Sequence, residues 1–371
     1  MINKKIQALV KNIPKDPGVY FFKDKNNKIL YIGKAKSLKS RVSSYFSKTN
    51  NSKNLIMISK AVNIETMIVN NEVEALLIES NMIKKYKPKS LEKYLNGKKT
   101  IIIGGPPCQP FSKNGYWVEN KNRKITKDPR NCINDFFRFV KNLNPDGFLI
   151  ENVESILHPT NKRAIQYIIS STKKLNYHFK MVKANALDYG VPQKRKRIFF
   201  FGSKKCFQLE EPERTHFDPK NPYLSTTDLK PYETVGDHIK EFNLNKYHEE
   251  YENTSEGTYF RELKKVPPGK NYLVLCDGKK SKFKTGTRFW NFLLKLKADL
   301  PSWTIAAQPG PWVGPFHWTN RRLRAPEIAA IQTFPRNYKF FGSRRSVQRQ
   351  IGNAVPPLLG KAMVSFLANN L

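Results

Sequence analysis

Short apolar runs alternate with amphipathic stretches through most of the chain after residue 100. A run such as Ile101–Ile103, bounded by polar residues and by Gly and Pro, predicts a buried strand. Ile133, Phe136, Phe137, Val140 and Leu143 recur at helical spacing and predict one buried helix face. The other predicted elements are strands at Gly147–Ile150, Phe179–Lys183 and Ile198–Phe201, a helix at Lys162–Leu175 and a short helical lead at Leu91–Leu95. This alternation predicts an α/β fold with a largely parallel sheet.

The first ninety residues show a different pattern. Val19–Phe22 and Ile29–Ile32 predict the two strands of a hairpin, with Asp24–Lys28 as its turn. A basic helix is predicted over Lys34–Phe46, and a second helix over Val73–Lys85. We therefore expect a small α+β domain ahead of the larger α/β domain.

Charge and cysteine content narrow the class of protein. The chain has 66 Lys and Arg against 30 Asp and Glu, a net charge of +36 over 371 residues, which favours a nucleic acid partner. The four cysteines (Cys108, Cys132, Cys206 and Cys276) are far apart, which argues for a reducing compartment. They form no Cys-x-x-Cys pair, which argues against a zinc site. No apolar run approaches the ~18 residues of a transmembrane helix. Residues 1–11 lack the continuous apolar core of a signal peptide. We expect a soluble cytoplasmic protein, associated with the nucleoid and with no membrane partner.

A thiol and a carboxyl group follow two of the predicted strands. The segment Gly104–Ser112 (GGPPCQPFS) holds Cys108 in a stiff loop after one strand, and Glu151-Asn152-Val153 follows another. Open α/β sheets bind ligands at the carboxyl ends of their strands. Here the chain resembles the DNA (cytosine-5) methyltransferases, whose signatures include Pro-Cys-Gln and Glu-Asn-Val.

Further blocks extend this resemblance over about residues 91–371. Asn185–Arg197 matches the family's Gln-x-Arg-x-Arg block, Arg322–Pro335 matches a later block, and Gln350–Pro357 (QIGNAVPP) matches the last one. Between Ser203 and about Leu300 lies a variable stretch. The resemblance implies that this interval is the target-recognition domain.

The resemblance also assigns roles. Cys108 would be the nucleophile that adds to C6 of a flipped cytosine, and Glu151 would hydrogen-bond N3 and the exocyclic amine of the ring. Arg195 and Arg197 would hold the flipped nucleotide and favour the thiolate. S-adenosylmethionine would donate the methyl group, double-stranded DNA would be the substrate, and the cofactor contacts would include Pro107, Asn353 and Val355.

The amino-terminal motifs resemble the GIY-YIG nuclease domain of UvrC over about residues 12–89. They are PGVY at Pro17–Tyr20, LYIGKAK at Leu30–Lys36, LKSRVSSYF at Leu38–Phe46 and NEVEALLIE at Asn71–Glu79. The resemblance implies an active-site group of Tyr20, Tyr31, Lys34 and Arg41, with Glu79 as the ligand of a Mg²⁺ ion. One position departs from the family, since Leu91 stands where its asparagine would be.

One methyltransferase signature is missing before Cys108. The family opens with a Phe-x-Gly-x-Gly turn that cradles S-adenosylmethionine, whereas residues 1–103 contain only the glycines Gly18, Gly33 and Gly97. Three hypotheses follow. The chain is a methyltransferase whose cofactor half is a second polypeptide; or it is a GIY-YIG endonuclease with the methyltransferase remnant as its DNA-binding module; or it is an inactive gene fusion.

The predicted fold is therefore a small α+β GIY-YIG domain followed by a partial Rossmann-like methyltransferase domain with a target-recognition domain. The predicted boundaries are 1–89 for the nuclease domain, 90–202 for the catalytic domain, 203–300 for target recognition, and 301–371 for the blocks that return to the catalytic domain.

Overall fold

A computed structural model describes residue 6 and residues 9–46, 57–69, 99–106, 132–220, 228–276 and 282–371. These residues form two compact units, Met1–Thr100 and Ile101–Leu371. The predicted helices at Val73–Lys85 and Leu91–Leu95 lie outside the described residues, and the four predicted domain boundaries stay a prediction.

The first unit is built on a three-stranded antiparallel sheet in the order β2-β1-β3. Its strands are β1 (Gly18–Lys23), β2 (Ile29–Ala35) and β3 (Asn63–Ile68). The predicted hairpin is confirmed, and its turn is fixed by the Asp24 carboxylate, which accepts hydrogen bonds from the backbone N–H groups of Asn26 and Lys28 at 2.9 and 3.0 Å. β3 was not predicted.

The helix after the hairpin is shorter than the sequence suggested. α1 spans Leu38–Ser44, because β2 continues through Ala35 and Ser37 caps the helix by accepting from the Ser40 N–H. The prediction that the helix begins at Lys34 is therefore wrong. Leu38 and Val42 are fully buried and pack α1 onto the face of the sheet that carries Tyr20 and Phe22.

The second unit contains a four-stranded sheet in the order β4-β5-β8-β6. The strands are β4 (Ile101–Gly104), β5 (Gly147–Val153), β6 (His178–Asn185) and β8 (Lys196–Ser203). β4 and β5 pair in parallel, whereas β8 runs antiparallel to both of its neighbours. Three strands thus share one direction, as expected, but the reversed β8 between β5 and β6 was not predicted.

Helices cover both faces of this sheet. α2 (Ile133–Leu143) and α3 (Lys162–Lys174) pack against one face, in a core that includes Phe148, Ile198 and Phe200. α8 (Pro357–Asn369) packs against the other face, in a core that includes Leu149 and Phe201. The predicted helices at Ile133–Leu143 and Lys162–Leu175 are confirmed to within one residue.

The remaining described residues of the second unit form a helical body with its own apolar clusters. Its helices are α4 (Val235–Ile239), α5 (Phe260–Lys265), α6 (Ala325–Ile331) and α7 (Arg344–Asn353), and two-residue strands lie at β7 (Gln193–Lys194), β9 (His216–Phe217), β10 (Lys230–Pro231) and β11 (Ser302–Trp303). In the two units together, single turns of 3-10 helix occur at Val10–Asn12, Glu154–Leu157, Pro159–Asn161, Ala186–Tyr189, Lys240–Asn243, Asn245–Tyr247, Glu250–Glu252 and Tyr272–Leu275.

One stretch of the described chain, Arg344–Asn369, is long and apolar enough to cross a membrane by length and composition. It consists of α7 and α8, which are separated by Ala354–Pro356. Ile351 is fully buried in the helical body, and Leu359 and Met363 are fully buried against the sheet. Packing within the protein therefore accounts for its apolar character.

Candidate active sites

The ends of β4 and β5 bring the start of the Pro-Cys segment beside Glu151. In the parallel register Gly104 pairs with Ile150, so the next residues of the two chains lie side by side. A Cβ added at Gly105 would lie 3.5 Å from Glu151 Oε2, and the Asn152 side chain donates to the Pro106 carbonyl at 3.5 Å. The sequence analysis ended this strand at Ile150 and placed Glu151 after it. β5 instead continues to Val153, so Glu151 lies within the strand.

Glu151 is paired with Arg197 across the sheet. Arg197 Nε lies 2.7 Å from Glu151 Oε1, and both side chains are mostly buried, with exposed fractions of 13% and 16%. The Arg197 guanidinium also donates to the Lys196 carbonyl at 2.8 Å. The antiparallel pairing of β5 and β8 fixes this arrangement by placing Arg197 opposite Val153. A carboxylate and a guanidinium therefore stand together at the strand end that leads to Cys108.

Arg195 occupies a different environment. Its side chain is 2% exposed, and its guanidinium donates to the carbonyls of Gly352 at 2.8 Å, Ala354 at 3.1 Å and Ile305 at 3.4 Å. These bonds tie the end of β7 to the segment that joins α7 and α8. The role predicted for Arg195 in holding a nucleotide stays a prediction, and the structure adds a structural role for it.

A buried pair of glutamines, which the sequence did not single out, connects the same segments. Gln193 Nε2 donates to Gln332 Oε1 at 3.1 Å, and Gln332 Nε2 donates to the Ile351 carbonyl at 2.8 Å. Gln193 Oε1 also accepts from the Ile305 N–H at 3.1 Å. Both glutamines are fully buried. Since Gln193, Gln332 and Ile351 come from three separate motif blocks, the fold gathers these blocks into one place.

The predicted cofactor contacts Asn353 and Val355 lie where α7 meets α8, next to the carbonyls that Arg195 binds. Asn353 is exposed at the end of α7, and Val355 packs partly buried against the core under α8. The neighbouring carbonyls of Gly352 and Ala354 are those held by Arg195. Pro107 and Cys108 lie outside the described residues, so their positions stay a prediction.

A network of buried charges supports the helical body. Glu327 is fully buried and receives two hydrogen bonds from the Arg321 guanidinium, at 2.8 and 2.6 Å, and one from the Arg324 N–H at 2.8 Å. Arg324 also bonds Glu252 and the Phe242 carbonyl. Burial opposes ionisation of Glu252, but hydrogen bonds from Arg324 and His248 outweigh it and lower its pKa. The network joins residues 242–252 to α6.

In the first unit, tyrosines and an arginine gather on one face of the sheet. The Tyr20 and Tyr45 hydroxyls lie 2.9 Å apart, and the Tyr31 ring centroid is 6.1 Å from each of the other two rings. Arg41 lies over the Tyr45 ring with Cζ 5.4 Å from the centroid. A Cβ at Gly33 would lie 2.5 Å from the Tyr20 hydroxyl, so glycine at this position leaves room for the cluster.

The phenols of this cluster stay protonated at neutral pH. Burial and a hydrogen bond with Tyr45 raise the pKa of Tyr31 to about 12, and burial with the Tyr20 bond raises the pKa of Tyr45 to about 12. A hydrogen bond with Tyr20 raises the pKa of Arg41, which keeps the guanidinium charged. The site therefore presents phenol O–H groups and one fixed positive charge, a set suited to binding a phosphodiester.

The structure brings together Tyr20, Tyr31 and Arg41 of the predicted nuclease group and adds Tyr45, which the sequence analysis did not assign. Lys34 pairs with Val19, so the alternation of strand residues assigns it to the opposite face of the sheet. Glu79 and Leu91 lie outside the described residues. No group of three His, Cys, Asp or Glu side chains suited to a metal occurs among the residues that the structure describes.

Comparison with known proteins places both parts of the chain. Residues 75–368 match the model of the C-5 cytosine-specific DNA methylases, and residues 16–90 match the UvrC-like GIY-YIG domain. The chain is 39% identical over 290 residues to the type II methyltransferase M.SacI of Streptomyces achromogenes, an alignment that covers 74% of this chain and 73% of that protein. It is 32% identical to M.NgoFVII of Neisseria gonorrhoeae, with coverage of 73% and 71%.

Among solved structures, one similar chain is the GIY-YIG N-terminal endonuclease domain of UvrC from Thermotoga maritima bound to magnesium. The identity is 42%, the match covers 24% of this chain and 96% of that one, and the TM-score is 0.22. The model match to the methylases spans well over half of the chain. The protein therefore belongs to the C-5 cytosine-specific DNA methylase family and carries a UvrC-like GIY-YIG domain at its amino terminus.

Proposed function

We propose that this chain methylates C5 of a flipped cytosine in double-stranded DNA, with Cys108 as nucleophile and with its cofactor half supplied by a second polypeptide. The observation that carries the proposal is the pair between Glu151 of β5 and Arg197 of β8, with 2.7 Å between Nε and Oε1. It stands beside Gly105 and Pro106, directly before the Pro-Cys segment. Membership of the DNA methylase family implies that S-adenosylmethionine is the methyl donor.

The chemistry explains why these residue types are needed. Cys108 thiolate adds to C6 of cytosine, and the electrons of the C5–C6 double bond move to C5, which becomes a nucleophile. S-adenosylmethionine, when bound, supplies the methyl group that C5 takes up. Loss of the C5 proton to solvent and expulsion of the Cys108 thiolate restore the double bond. Glu151 stabilises the ring protonated at N3, and Arg197 holds both Glu151 and the nucleotide.

The sheet supports the need for a second polypeptide. Among the described strands β4 ends the order, and Ile103 on it is 58% exposed. A strand that ends the order of the described strands and carries an exposed isoleucine is suited to pairing with further strands. Asn353 and Val355, with the Pro107 segment, would form one wall of the S-adenosylmethionine pocket. The glycine-rich turn and the acidic residues that hold the ribose would come from the partner.

Calorimetry and a methylation assay test this proposal. We expect weak or undetectable binding of S-adenosylmethionine to the isolated chain, because it offers only part of the pocket. Tight binding of one equivalent would contradict the need for a second polypeptide. With the complementing cofactor half added, methyl transfer to DNA should require Cys108, so Cys108→Ala should lose methylation while keeping DNA affinity. Normal methylation by this variant would overturn the assignment of the nucleophile.

A second candidate function is metal-dependent nicking of DNA by the amino-terminal unit. The cluster of Tyr20, Tyr31 and Tyr45 beside Arg41 favours it, because protonated phenols and a guanidinium suit a phosphodiester. Glu79 would hold the Mg²⁺ ion. A supercoiled plasmid incubated with Mg²⁺ should be nicked slowly by the wild type and not by Tyr31→Phe. Equal nicking by both proteins would overturn this candidate.

The expected location follows from the proposed substrate. A protein with a net charge of +36 that acts on DNA should reside in the cytoplasm and associate with the nucleoid.

A further inference from the structure

Two large aromatic side chains stand exposed next to each other in the interval predicted to read the target. Phe289 is 71% exposed and Trp290 is 52% exposed. Apolar side chains of this size are mostly buried in a protein that binds nothing at that place. The pair follows a turn at Gly286, whose φ of +80° suits glycine, and no atom lies within 4 Å of a Cβ built there. The tip of this loop therefore projects into solvent.

The backbone beneath the pair is held firmly. Asn271, 4% exposed, donates from Nδ2 to the Trp290 carbonyl at 2.8 Å, and the Tyr272 hydroxyl donates to the Arg288 carbonyl at 3.1 Å. The Phe292 N–H donates to the Phe289 carbonyl at 2.9 Å, which closes a tight turn. Phe292 and Tyr272 belong to the same buried cluster. The aromatic pair is thus fixed in an exposed position by buried groups rather than left on a loose loop.

The pair is also connected to the motif blocks. Trp290 packs edge-on against Trp303, with ring centroids 5.6 Å apart at 66°. Trp303 pairs with Lys194 in the parallel β11–β7 ladder, and Lys194 Nζ lies 5.1 Å from the Trp303 centroid. Lys194 precedes Arg195 and Arg197 in the same block. A stack of two tryptophans and one lysine therefore runs from the exposed loop toward the Arg197 strand.

The charge around the pair identifies its partner. Lys284 and Arg288 lie beside the pair in the sequence, and no acidic residue occurs between residues 282 and 298. The other lysines of this stretch are engaged elsewhere: Lys282 pairs with Glu262, Lys297 pairs with Asp299, and Lys295 is 2% exposed. The cations that can face a phosphate next to the rings are therefore Lys284 and Arg288. Arg288 lies over the Phe292 ring with Cζ 5.5 Å from the centroid. Exposed aromatic rings interleaved with cations are the combination that binds nucleic acids, since the cations contact phosphates and the rings stack on bases. An apolar protein surface would favour the rings but would gain nothing from the cations.

We propose that Phe289 and Trp290 stack against bases of duplex DNA where the target cytosine leaves the helix. This inference rests on the proposed DNA-modifying function and adds the residues that hold the opened duplex. Moving a base out of the stack leaves neighbouring bases unstacked at a cost of a few kcal/mol. A rigid aromatic pair supplies a replacement surface, and its preorganisation lowers the entropy lost on binding.

The test measures the binding of a fluorescein-labelled 30-base-pair duplex by the full chain, with heparin as a polyanion that has no bases. The duplex carries one mispaired cytosine at its centre, because a mispaired base leaves the stack at the lowest cost. Base stacking on an aromatic side chain contributes ~1–3 kcal/mol per base by alanine substitution. We therefore expect Trp290→Ala and Phe289→Ala each to weaken duplex binding roughly 5- to 150-fold while heparin affinity stays within about twofold. Trp290→Phe keeps a ring and should recover most of the affinity. Phe341→Ala serves as the matched control, because Phe341 is also exposed, at 75%, but lies outside this cluster.

Each outcome decides the matter. If Trp290→Ala and Phe289→Ala bind the duplex as tightly as wild type, the stacking role is wrong while the DNA-modifying proposal stands. If they lose duplex and heparin binding equally, the residues act through folding or charge, and the stacking role is again wrong. If Phe341→Ala loses duplex binding as strongly as they do, the effect is not specific to this pair. If wild type does not bind the duplex, both proposals fail together.

Discussion

Replacing Arg195 with methionine tests the structural role that its hydrogen bonds assign to it. The guanidinium is 2% exposed and donates to three main-chain carbonyls, those of Ile305, Gly352 and Ala354. Methionine fills similar space but donates no hydrogen bond. A buried carbonyl left without a partner costs about 1–3 kcal/mol. Because the two shorter bonds carry most of the effect, we expect a loss of roughly 2–4 kcal/mol in the free energy of unfolding.

Arg214→Met is the matched control, because Arg214 is an exposed arginine of the same unit. Its guanidinium lies 3.6 Å from the Glu211 carboxylate, and the two side chains are 53% and 69% exposed. An exposed ion pair contributes only ~0–1 kcal/mol to stability. Arg214→Met should therefore fold with nearly normal stability. Arg195→Lys should fall between, because one ammonium can bond some but not all of the three carbonyls.

Urea unfolding followed by tryptophan fluorescence measures this difference. All five tryptophans of the chain lie after residue 100, so the signal reports on the second unit alone. The expected result is a lower urea midpoint for Arg195→Met and an almost unchanged midpoint for Arg214→Met. Equal midpoints for wild type and Arg195→Met would refute the argument that these bonds hold the α7–α8 junction.

Three further predictions concern His317, Glu327 and the predicted nuclease site. Burial and the nearby Arg321 and Arg324 lower the pKa of His317 to about 3, so the unfolded chain binds a proton more readily than the folded one. The free energy of unfolding should therefore fall by about 2 kcal/mol as pH decreases from 6.5 to 5. Urea midpoints measured across this pH range should show the fall for wild type and a flatter dependence for His317→Gln. Glu327→Gln leaves Arg321 without its buried carboxylate and should lower the free energy of unfolding by about 3–5 kcal/mol, whereas a midpoint equal to wild type would contradict the network. In plasmid nicking with Mg²⁺, Glu79→Ala should abolish activity, because Glu79 is the predicted metal ligand. Leu91→Asn should raise activity, because losing a residue that orients a metal site typically costs ~10–100-fold. Equal rates for Glu79→Ala and wild type would assign the nicking to a contaminant.

Hydrophobic patterning predicted the strands of the two main sheets except β3, and the helices α1 to α3, but not the direction of β8. An apolar run such as Ile198–Phe201 fits a buried strand of either direction. The reason for the reversal lies in the connection, because only residues 186–195 separate β6 from β8. A parallel crossover between neighbouring strands needs a dozen or more residues. The length of this connection was visible in the sequence and would have indicated the antiparallel pairing.

The site shows the same division between what patterns reveal and what only packing reveals. Spacing placed Glu151 at the end of a strand. It could not reveal that Arg195 binds main-chain carbonyls in the interior while Arg197 pairs with Glu151. Arg195 precedes β8, in the turn after β7, where the alternation of strand side chains no longer applies. Tyr45 could have been assigned, since it lies four residues after Arg41 and so faces the same side of the helical turn. The Gln193–Gln332 pair spans 139 residues, a contact that no local pattern predicts.

The central claim is that Cys108, Glu151 and Arg197 activate cytosine within this chain. Addition of a thiolate to C6 makes C5 basic, so C5 takes up a proton from water and then releases its own hydrogen, even without a methyl donor. The most direct measurement is therefore the release of tritium from duplex DNA labelled at C5 of cytosine, in the absence of S-adenosylmethionine. The account predicts that wild type releases tritium, while Cys108→Ala and Arg197→Met do not. Equal release by wild type and Cys108→Ala, or none by wild type that is bound to the DNA, would contradict it.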